Sequence, residues 1–215
     1  MKYIGLTGSI GVGKSTTSKI LKKLGATLID ADKLAKQATQ PSSLVWPKLI
    51  KHFAHCLIDN KKINRQKLAQ EVFTNPDQLK LLNHILHPAV NDLLIERLTN
   101  VYVTDKTATI IYDAALLIEN DADKFCQKVI LIKTNLPTVT KRLINSRNTS
   151  EEYVKSIFNN QLPTSLKIKK AHFIINNNGD LSKLETQINL IWQKINKLPS
   201  VNFKNLVDRL SSRYT

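Results

Sequence analysis

The chain has 215 residues, 42% of them hydrophobic, and its 32 lysines and arginines against 17 aspartates and glutamates give a net charge of +15. This length suits one α/β domain with an inserted lobe, and no apolar run approaches the roughly 18–20 residues that span a membrane. The two cysteines, Cys56 and Cys126, lie far apart and form no Cys-x-x-Cys pattern, which disfavours a zinc ribbon or a disulfide framework. We therefore expect a cytoplasmic protein whose partners are polyanions.

Five short apolar segments are predicted to be strands, and helices separate them. The predicted strands are residues 3–6, 27–29, 110–112, 129–132 and 173–175. Between the first two, apolar residues recur at helical spacing from Lys14 up to Gly25, a residue typical of a helix C-terminus. Because strand, glycine-rich loop, helix and strand follow one another, the sequence predicts a βαβ opening and a doubly wound parallel sheet of five strands.

Three further segments interrupt or extend this predicted sheet. Residues 40–98 are predicted to be helical throughout, with a turn at "DNKKIN", and to form a substrate-binding insertion. Residues 137–170 are polar and basic, which suits a helical lid, and residues 199–215 are predicted to form an amphipathic tail helix. The expected organisation is a single domain whose core comprises residues 1–39, 99–136 and 171–198.

Residues 8–15 fit the phosphate-binding pattern G-x-x-x-x-G-K-[ST] at every fixed position. The glycines allow successive backbone N–H groups to converge on phosphate oxygens, and the following helix adds partial positive charge at its N-terminus. Lys14 is expected to reach the β- and γ-phosphates of ATP, and Ser15 is expected to ligate Mg²⁺. The predicted ATP-binding residues are Gly8, Gly11, Val12, Gly13, Lys14, Ser15 and Thr16. The expected fold is therefore of the P-loop NTPase type.

A P-loop alone does not separate a kinase from a GTPase or a nucleic-acid motor. The guanine-reading pattern Asn-Lys-x-Asp is incomplete, because the Asn-Lys pairs at residues 60–61 and 196–197 lack its aspartate. A motor core usually needs a longer chain. A small kinase acting on a metabolite or a nucleotide is therefore favoured. The net charge leaves a nucleic-acid-binding module open as an alternative, although the lysines are dispersed along the chain.

Acidic residues end two of the predicted strands. Asp30 and Asp32 follow the second strand, at the edge where open α/β sheets bind ligands. At least one of them is expected either to accept the proton of an attacking hydroxyl or to help hold the metal, and one of the pair is expected to cap the next helix. Asp113 ends the third strand, where it would either hold Mg²⁺ through water or lie in a simple turn.

Arginines and histidines add further candidates. Arg142 and Arg147 fall in the predicted lid, where arginine can stabilise a transferring phosphoryl group. The histidines at residues 52, 55, 84 and 87 form two His-x-x-His pairs. A spacing of three could present two metal ligands on one helix face. Because no third and fourth ligand cluster nearby in the sequence, a metal site is not expected at either pair.

Together these segments resemble the dephospho-CoA kinase family. The resemblance rests on "YIGLTGSIGVGKST", "IDAD", "KINRQKL", "EVF", "LNHILHP", "DAALLIE", the Gln161-x-Pro163 segment with Lys167, and "INNNG". These segments occur in the family's order over roughly residues 1–195. The chain departs from the family pattern at Lys36, Ala115, Asn148 and His172, and Leu143 occupies the position of the first lid arginine.

The resemblance implies ATP- and Mg²⁺-dependent phosphorylation of the ribose 3′-hydroxyl of dephospho-CoA, which gives CoA. It implies that Asp32 is the general base, that Lys14 cradles the ATP phosphates and that Arg147 clamps the transferring phosphoryl group. Arg65, Phe73 and His87 would belong to the substrate lobe. The resemblance further implies that Asp32, Arg65 and His87 bind dephospho-CoA. Neither a membrane nor nucleic acid is expected as a partner, and the expected state is a monomer or a small homo-oligomer.

Overall fold

The computed structural model describes residues 1–58, 62–147, 150 and 161–214, apart from the side chains of residues 73 and 145–147. The strands are β1 (Lys2–Thr7), β2 (Thr27–Asp30), β3 (Leu57–Ile58), β4 (Lys62–Ile63), β5 (Thr109–Asp113), β6 (Lys128–Lys133) and β7 (Phe173–Asn176). The helices are α1 (Lys14–Lys23), α2 (Ala31–Ala38), α3 (Trp46–Phe53), α4 (Arg65–Thr74), α5 (Pro76–Thr104), α6 (Leu136–Arg147), α7 (Thr164–Lys170), α8 (Leu181–Asn196) and α9 (Phe203–Ser211).

The main sheet has five strands in the order β2-β5-β1-β6-β7, and β1 pairs in parallel with both β5 and β6. Each strand contains one of the five segments predicted from the sequence, so the predicted sheet is confirmed. Parallel pairing also fixes the register of the strand ends, because Leu6 of β1 lies opposite Asp113 of β5. The loop that follows β1 and the carboxylate that ends β5 therefore emerge at the same edge of the sheet.

The central strands β1, β5 and β6 are buried at consecutive positions, so both faces of the sheet are covered there, as expected for parallel strands. Ile4, Ile111 and Ile130 are fully buried in a core cluster of the sheet unit. Helix α8 contributes Ile188 and Ile195, two of the buried residues that recur at helical spacing along it. This core provides a rigid platform for the loops at the carboxyl edge.

The chain divides into two compact units. The sheet unit comprises Met1–Ile29 and Tyr102–Phe203, and the helical unit comprises Asp30–Val101 and Lys204–Thr215. The helical unit thus begins at Asp30, the last residue of β2, and includes the tail from Lys204 onward. None of the helices in the described parts of the chain combines the length and apolar character needed to cross a bilayer.

The helical unit contains a small β-hairpin, so the prediction that residues 40–98 are helical throughout is wrong at this point. Strands β3 and β4 pair antiparallel, with Leu57 opposite Ile63. The hairpin follows a 3₁₀ turn over Ala54–Cys56 and leads into α4. Part of the predicted "DNKKIN" turn, at residues 59–61, lies outside the described residues. Each strand has only two residues, too few for an alternating pattern to appear in the sequence.

The predicted tail helix is present as α9. Its apolar face buries Leu206 and Leu210, and the Nδ2 of Asn91 in α5 donates a 2.9 Å hydrogen bond to the carbonyl oxygen of Leu210. Both partners of this bond belong to the helical unit. The tail is therefore packed as a further helix of that unit.

Candidate active site

The loop between β1 and α1 adopts a backbone that only glycine accommodates readily. Gly11 and Gly13 have φ angles of 74° and 97°. A Cβ at Gly13 would lie 2.2 Å from the Nδ2 of Asn177, and one at Gly8 would lie 2.7 Å from the carbonyl oxygen of Ile132. The glycines are thus required both by the turn and by the close approach of β6 and of the segment after β7.

Helix α1 begins at Lys14 without a side-chain cap, and no acidic residue lies in its first turn. The N–H groups at a helix start have no acceptor within the helix, and the helix dipole favours an anion there. Here the described chain supplies no carboxylate and no capping oxygen to those N–H groups. An anionic ligand such as a phosphate is the natural acceptor for this loop and helix start.

Lys14 is held by the carboxylate at the end of β5. Its Nζ forms an ion pair with Asp113 Oδ1, and the hydroxyl of Ser18 lies 2.6 Å from Asp113 Oδ2. Both Asp113 oxygens therefore have partners, and the aspartate side chain is only 11% exposed. The pair keeps the Lys14 cation where the P-loop meets α1 before any ligand binds.

Two motifs from the second half of the chain join the sheet unit in the same region. The Oε1 of Gln161 accepts a 3.3 Å hydrogen bond from the N–H of Ile10 in the P-loop. Lys167 is fully buried, and its Nζ lies 2.7 Å from Oε1 of Glu119, which also accepts a 3.3 Å hydrogen bond from the N–H of Leu162. The start of α7 is therefore fixed to the segment after β5.

The other side of the P-loop contacts α6 and the segment after β7. Asn177 Nδ2 donates a 2.8 Å hydrogen bond to the carbonyl oxygen of Val12, and Arg142 donates a 3.0 Å hydrogen bond to the carbonyl oxygen of Asn177. Leu143 is buried, and a Cβ at Gly11 would lie 2.9 Å from its Cγ. Helix α6 thus places a leucine against the P-loop and an arginine beside Asn177.

The two aspartates after β2 have different positions on α2. Asp30 is the N-cap of α2, and its Oδ1 accepts hydrogen bonds from the backbone N–H groups of Asp32 and Lys33, at 2.9 and 3.2 Å. Asp32 lies in the first helical turn. One aspartate of the pair is therefore the cap, as the sequence predicts, and it is Asp30.

Comparisons with known proteins agree with this geometry. The family model of dephospho-CoA kinase matches residues 2–183. A dephospho-CoA kinase of Fusobacterium nucleatum is 37% identical over 193 residues, which cover 89% of this chain and 97% of the relative. One of Idiomarina loihiensis is 33% identical over 196 residues, which cover 90% and 95%. The chain belongs to the dephospho-CoA kinase family.

Solved structures support the same assignment. A crystal structure of TT1252 from Thermus thermophilus superposes with a TM-score of 0.80 at 28% identity and covers 90% of this chain and 97% of that one. A dephospho-CoA kinase from Campylobacter jejuni gives a TM-score of 0.66 at 29% identity, with 90% and 96% covered. The predicted P-loop kinase fold and the resemblance stated from the sequence are thereby confirmed.

Two residues that the family resemblance assigns to the substrate lobe lie in the helical unit. Arg65, the first residue of α4, donates a 2.7 Å hydrogen bond to Oγ1 of Thr39, at the C-terminus of α2. The ring of His87 in α5 lies beside the ring of Tyr214 in a tilted arrangement, with a centroid distance of 5.8 Å. Burial, reinforced by the charge of Arg213, lowers the pKa of His87 below its usual value. Their roles in substrate binding stay predictions.

Two other positions from the resemblance lie outside the described side chains. Arg147 is the last residue of α6, and Phe73 lies in α4, but the side chain of each falls outside the described residues. Asn148 lies outside them altogether. Of the two lid arginines, Arg142 is the one whose side-chain contact is defined.

The remaining departures from the family pattern, Ala115, Lys36 and His172, each accept a hydrogen bond from a nearby residue. The carbonyl oxygen of Ala115 accepts a 3.1 Å hydrogen bond from Thr7, and Lys36 contributes its carbonyl oxygen to Arg65. His172 Nδ1 accepts a 3.2 Å hydrogen bond from the N–H of Val129 in β6. Two of these three contacts use the backbone, which explains why the side chain can vary there.

Sequence reasoning missed Ser18 and Asn177. Ser18 lies four residues after Lys14, so both side chains project from the same face of α1, and this spacing is a signal that could have been used. Asn177 falls within the segment "INNNG", which carries part of the family resemblance, but its bond to Val12 joins residues 165 positions apart. No local pattern reports a contact at that separation.

Proposed function

We propose that this protein transfers the γ-phosphoryl group of ATP to the ribose 3′-hydroxyl of dephospho-CoA, giving CoA and ADP. The observation that carries the proposal is the Lys14–Asp113 ion pair at the head of an uncapped helix, in a chain of the dephospho-CoA kinase family. A bound phosphate would accept hydrogen bonds from the α1 N–H groups and would pair with the positive charge of Lys14. This arrangement suits a reaction whose catalysis is mainly positioning and charge neutralisation.

In the ATP complex, Lys14 would neutralise charge on the β- and γ-phosphates while the loop N–H groups of residues 11–16 hold their oxygens. Asp113 is the ion-pair partner of Lys14 before ATP arrives. Its second oxygen has Ser18 as a partner, so Asp113 remains hydrogen-bonded when Lys14 turns to the phosphate. Because the Lys14 side chain is only 18% exposed, its charge would act on the phosphates with less screening by water than a fully exposed lysine.

The donor chemistry of the site fits Mg²⁺, which prefers oxygen ligands. We propose that the hydroxyl of Ser15, exposed on the first turn of α1, and the carboxylate of Asp113 hold it, the carboxylate through water. Held there, Mg²⁺ would supply positive charge that neutralises the ATP phosphates.

We assign the general base to Asp32. The Asp30 carboxylate already accepts two backbone hydrogen bonds as the cap of α2, so removing it from that position would expose the helix start. In the proposed step, Asp32 takes the proton of the ribose 3′-hydroxyl as the new P–O bond forms and the bond to the β-phosphate oxygen breaks. ADP leaves with the electron pair of the broken bond.

Residues of the helical unit and residues of the lid are also proposed to take part in the reaction. Arg65 fixes the C-terminal end of α2, the helix that bears Asp32 at its other end, and we propose that Arg65 and His87 contact dephospho-CoA. Arg147 is proposed to clamp the transferring phosphoryl group. A closed lid would exclude water, which would otherwise accept the phosphoryl group and turn the kinase into an ATPase.

The proposal places the enzyme in the cytoplasm, where its two cysteines, both free in the structure, would stay reduced. It also takes the enzyme to be a monomer or a small homo-oligomer, which light scattering of the purified protein would measure.

The test is an assay of purified protein with ATP, Mg²⁺ and dephospho-CoA, in which ADP and CoA are both quantified. Equal amounts of the two products, formed only when dephospho-CoA is present, are expected. Turnover of a nucleoside monophosphate instead would assign a different acceptor. Salt-sensitive RNA binding without kinase activity would reject the proposal in favour of a nucleic-acid-binding module.

A substitution in the P-loop makes the same assay specific. Lys14→Ala is expected to lower kcat at least about 100-fold, the scale on which loss of one preorganised charge stabiliser acts. Lys19→Ala, at an exposed position of the same helix, is the matched control and should retain full activity. Circular dichroism would verify that both variants fold. Normal turnover of folded Lys14→Ala protein would reject the P-loop as the catalytic phosphate site.

A further inference from the structure

A second group of chemically reactive side chains lies in the helical unit, where the proposed phosphoryl transfer uses none of them. His55 and Cys56 are consecutive residues of the 3₁₀ turn before the β3–β4 hairpin, and Glu71 lies on α4. The His55 Nε2, the Cys56 Sγ and one Glu71 carboxylate oxygen all lie within 4.8 Å of one another. Imidazole, thiol and carboxylate are the side chains that bind zinc in proteins.

The three groups already converge on one point. Glu71 Oε2 contacts His55 Nε2, and Cys56 Sγ lies 3.1 Å from the same oxygen. A tetrahedral ion with these ligands would hold their atoms about 3.5 Å apart. For an ion to fit, the Glu71 oxygen therefore has to move away from His55 and Cys56 by about an ångström or less.

We propose that His55, Cys56 and Glu71 form a binding site for a divalent transition-metal ion, with Zn²⁺ as the preferred occupant. On binding, the Cys56 thiol gives its proton to solvent and the sulfur bonds to the metal, while Nε2 of His55 and the Glu71 carboxylate supply the other protein ligands. Three protein ligands leave a fourth position for water.

Burial of the three ligands differs in a way that suits such a site. Cys56 is fully buried in the core of the helical unit, whereas the side chains of His55 and Glu71 are 52% and 25% exposed. The sulfur is therefore fixed by packing, and the two exposed ligands provide a path by which the ion can enter from solvent. They are also the two that can move.

The backbone around the ligands is held by a connected set of hydrogen bonds. The N–H of Asn64 donates to the carbonyl oxygen of Cys56 at 2.7 Å, and the Asn64 side chain caps α4 by accepting from the N–H of Lys67. The Lys67 Nζ in turn donates to the carbonyl oxygen of His55 at 2.6 Å. The turn that carries two ligands is thereby tied to the helix that carries the third.

The ligand set also discriminates between metals. A thiolate is a poor ligand for Mg²⁺, which prefers oxygen donors and octahedral geometry, and a good ligand for Zn²⁺. We therefore expect that the Mg²⁺ that accompanies ATP does not bind at this site. It also requires only His55 of the first His-x-x-His pair, since His52 is not among the clustered residues.

The test is a Co²⁺ titration of the metal-free full-length chain in excess Mg²⁺, followed by addition of Zn²⁺. We expect one Co²⁺ per chain, with the visible absorption of tetrahedral cobalt and a near-ultraviolet band from sulfur-to-cobalt charge transfer. Zn²⁺ should abolish both signals. Saturation at one equivalent without the charge-transfer band would overturn the proposal, because the thiolate would then not be a ligand.

Variants assign the bound metal to these residues. Loss of a residue that only hydrogen-bonds a metal ligand typically lowers metal affinity by roughly 10- to 100-fold. His55 is itself a proposed ligand, so His55→Ala is expected to lower metal affinity by more than this. Cys56→Ser should remove the charge-transfer band. His52→Ala and Cys126→Ser are the matched controls, and both should bind metal as the unmodified chain does.

Loss of metal binding through a missing ligand can be distinguished from loss through misfolding. Cys56 is buried and its replacement could disturb the core, but His55 is half-exposed, so His55→Ala protein should fold normally and gives an independent result. Unchanged metal affinity in folded His55→Ala protein would refute the site. Because the measurement requires no ATP or dephospho-CoA, its result is also independent of the proposed kinase activity.

Discussion

Among single residues, Asp30 and Asp32 are the pair whose assignment can be tested most directly. Asp30 caps α2 through two backbone hydrogen bonds, and Asp32 is the proposed base. Asp30→Asn keeps a side-chain oxygen for the cap, so it should retain most of kcat and of the stability. Asp32→Asn removes the proton acceptor and should lower kcat on the order of 10²- to 10⁴-fold while leaving the affinity for ATP nearly unchanged.

The two aspartate variants are controls for each other, because each removes one negative charge without changing side-chain size. Steady-state kinetics give kcat, and nucleotide titration gives ATP affinity. A severe loss of kcat in Asp30→Asn, with a mild one in Asp32→Asn, would show that the base is Asp30 and that the assignment made here is wrong.

His87 is a second residue with a testable property. Burial and the nearby Arg213 hold its pKa below the usual value of 6.5. The unfolded chain therefore binds a proton at His87 more readily than the folded one, so this residue's contribution to stability is present above pH 6.5. It is lost as the pH falls from about 6.5 toward the lowered pKa.

Proton NMR of the folded protein should give a His87 pKa below 6.5, and Arg213→Gln should raise it, because a neighbouring positive charge is removed. A His87 pKa that stays constant in Arg213→Gln would mean that Arg213 does not act on this imidazole.

At the scale of elements, the sequence predicted what is local. Each of the five main strands is an apolar run closed by a glycine or a polar residue, so its position could be found without knowing its partners. The P-loop could be predicted for the same reason, because its glycines and Lys14 all lie within residues 8–14. The β3–β4 hairpin could not, since two-residue strands have no periodic signal.

The contacts that assemble the site could not be predicted from spacing. Asn177 reaches Val12, and Gln161 reaches Ile10, only because β1, β6 and β7 bring distant segments to one edge of the sheet. The resemblance to a family supplied the segments, including Lys167, but not their pairing. Position in the sheet, rather than position in the chain, determines these partners.

The Glu119–Lys167 ion pair shows how such a contact holds an element in place. Lys167 of α7 is fully buried, and among the described residues its Nζ has the Glu119 charge at 2.7 Å but no hydrogen bond of good angular geometry. A buried charge without a partner is costly. Lys167→Ala should therefore leave Glu119 uncompensated and lower the free energy of unfolding by about 3–5 kcal/mol.

Urea unfolding of three variants separates charge from packing. Glu119→Gln should also destabilise, because it removes the only charge placed against Lys167 among the described residues. The double variant Glu119→Gln with Lys167→Ala buries no charge, so its loss should be smaller than the sum of the two single losses. Lys169→Ala, at an exposed position of α7, should have little effect. Additive losses in the double variant would mean that the two side chains are not coupled.

For the whole molecule, the division into two units makes the tail part of the helical unit although it lies at the opposite end of the sequence. The matched family range ends at residue 183, before α9 begins. Leu210 is 1% exposed, and its carbonyl oxygen accepts the bond from Asn91. Leu210→Ala should therefore destabilise the helical unit by about 2–5 kcal/mol, the usual cost of such a truncation in a core.

Hydrogen exchange read by mass spectrometry can locate that loss. In Leu210→Ala, amides of α5 around Asn91 should exchange faster, because the helix loses part of its cover, whereas amides of β1 and β6 in the sheet unit should keep their protection. Ser211→Ala, exposed and one residue further along, is the control and should match the unmodified chain. Faster exchange confined to residues 203–211 would show that the tail packs on the unit without stabilising it.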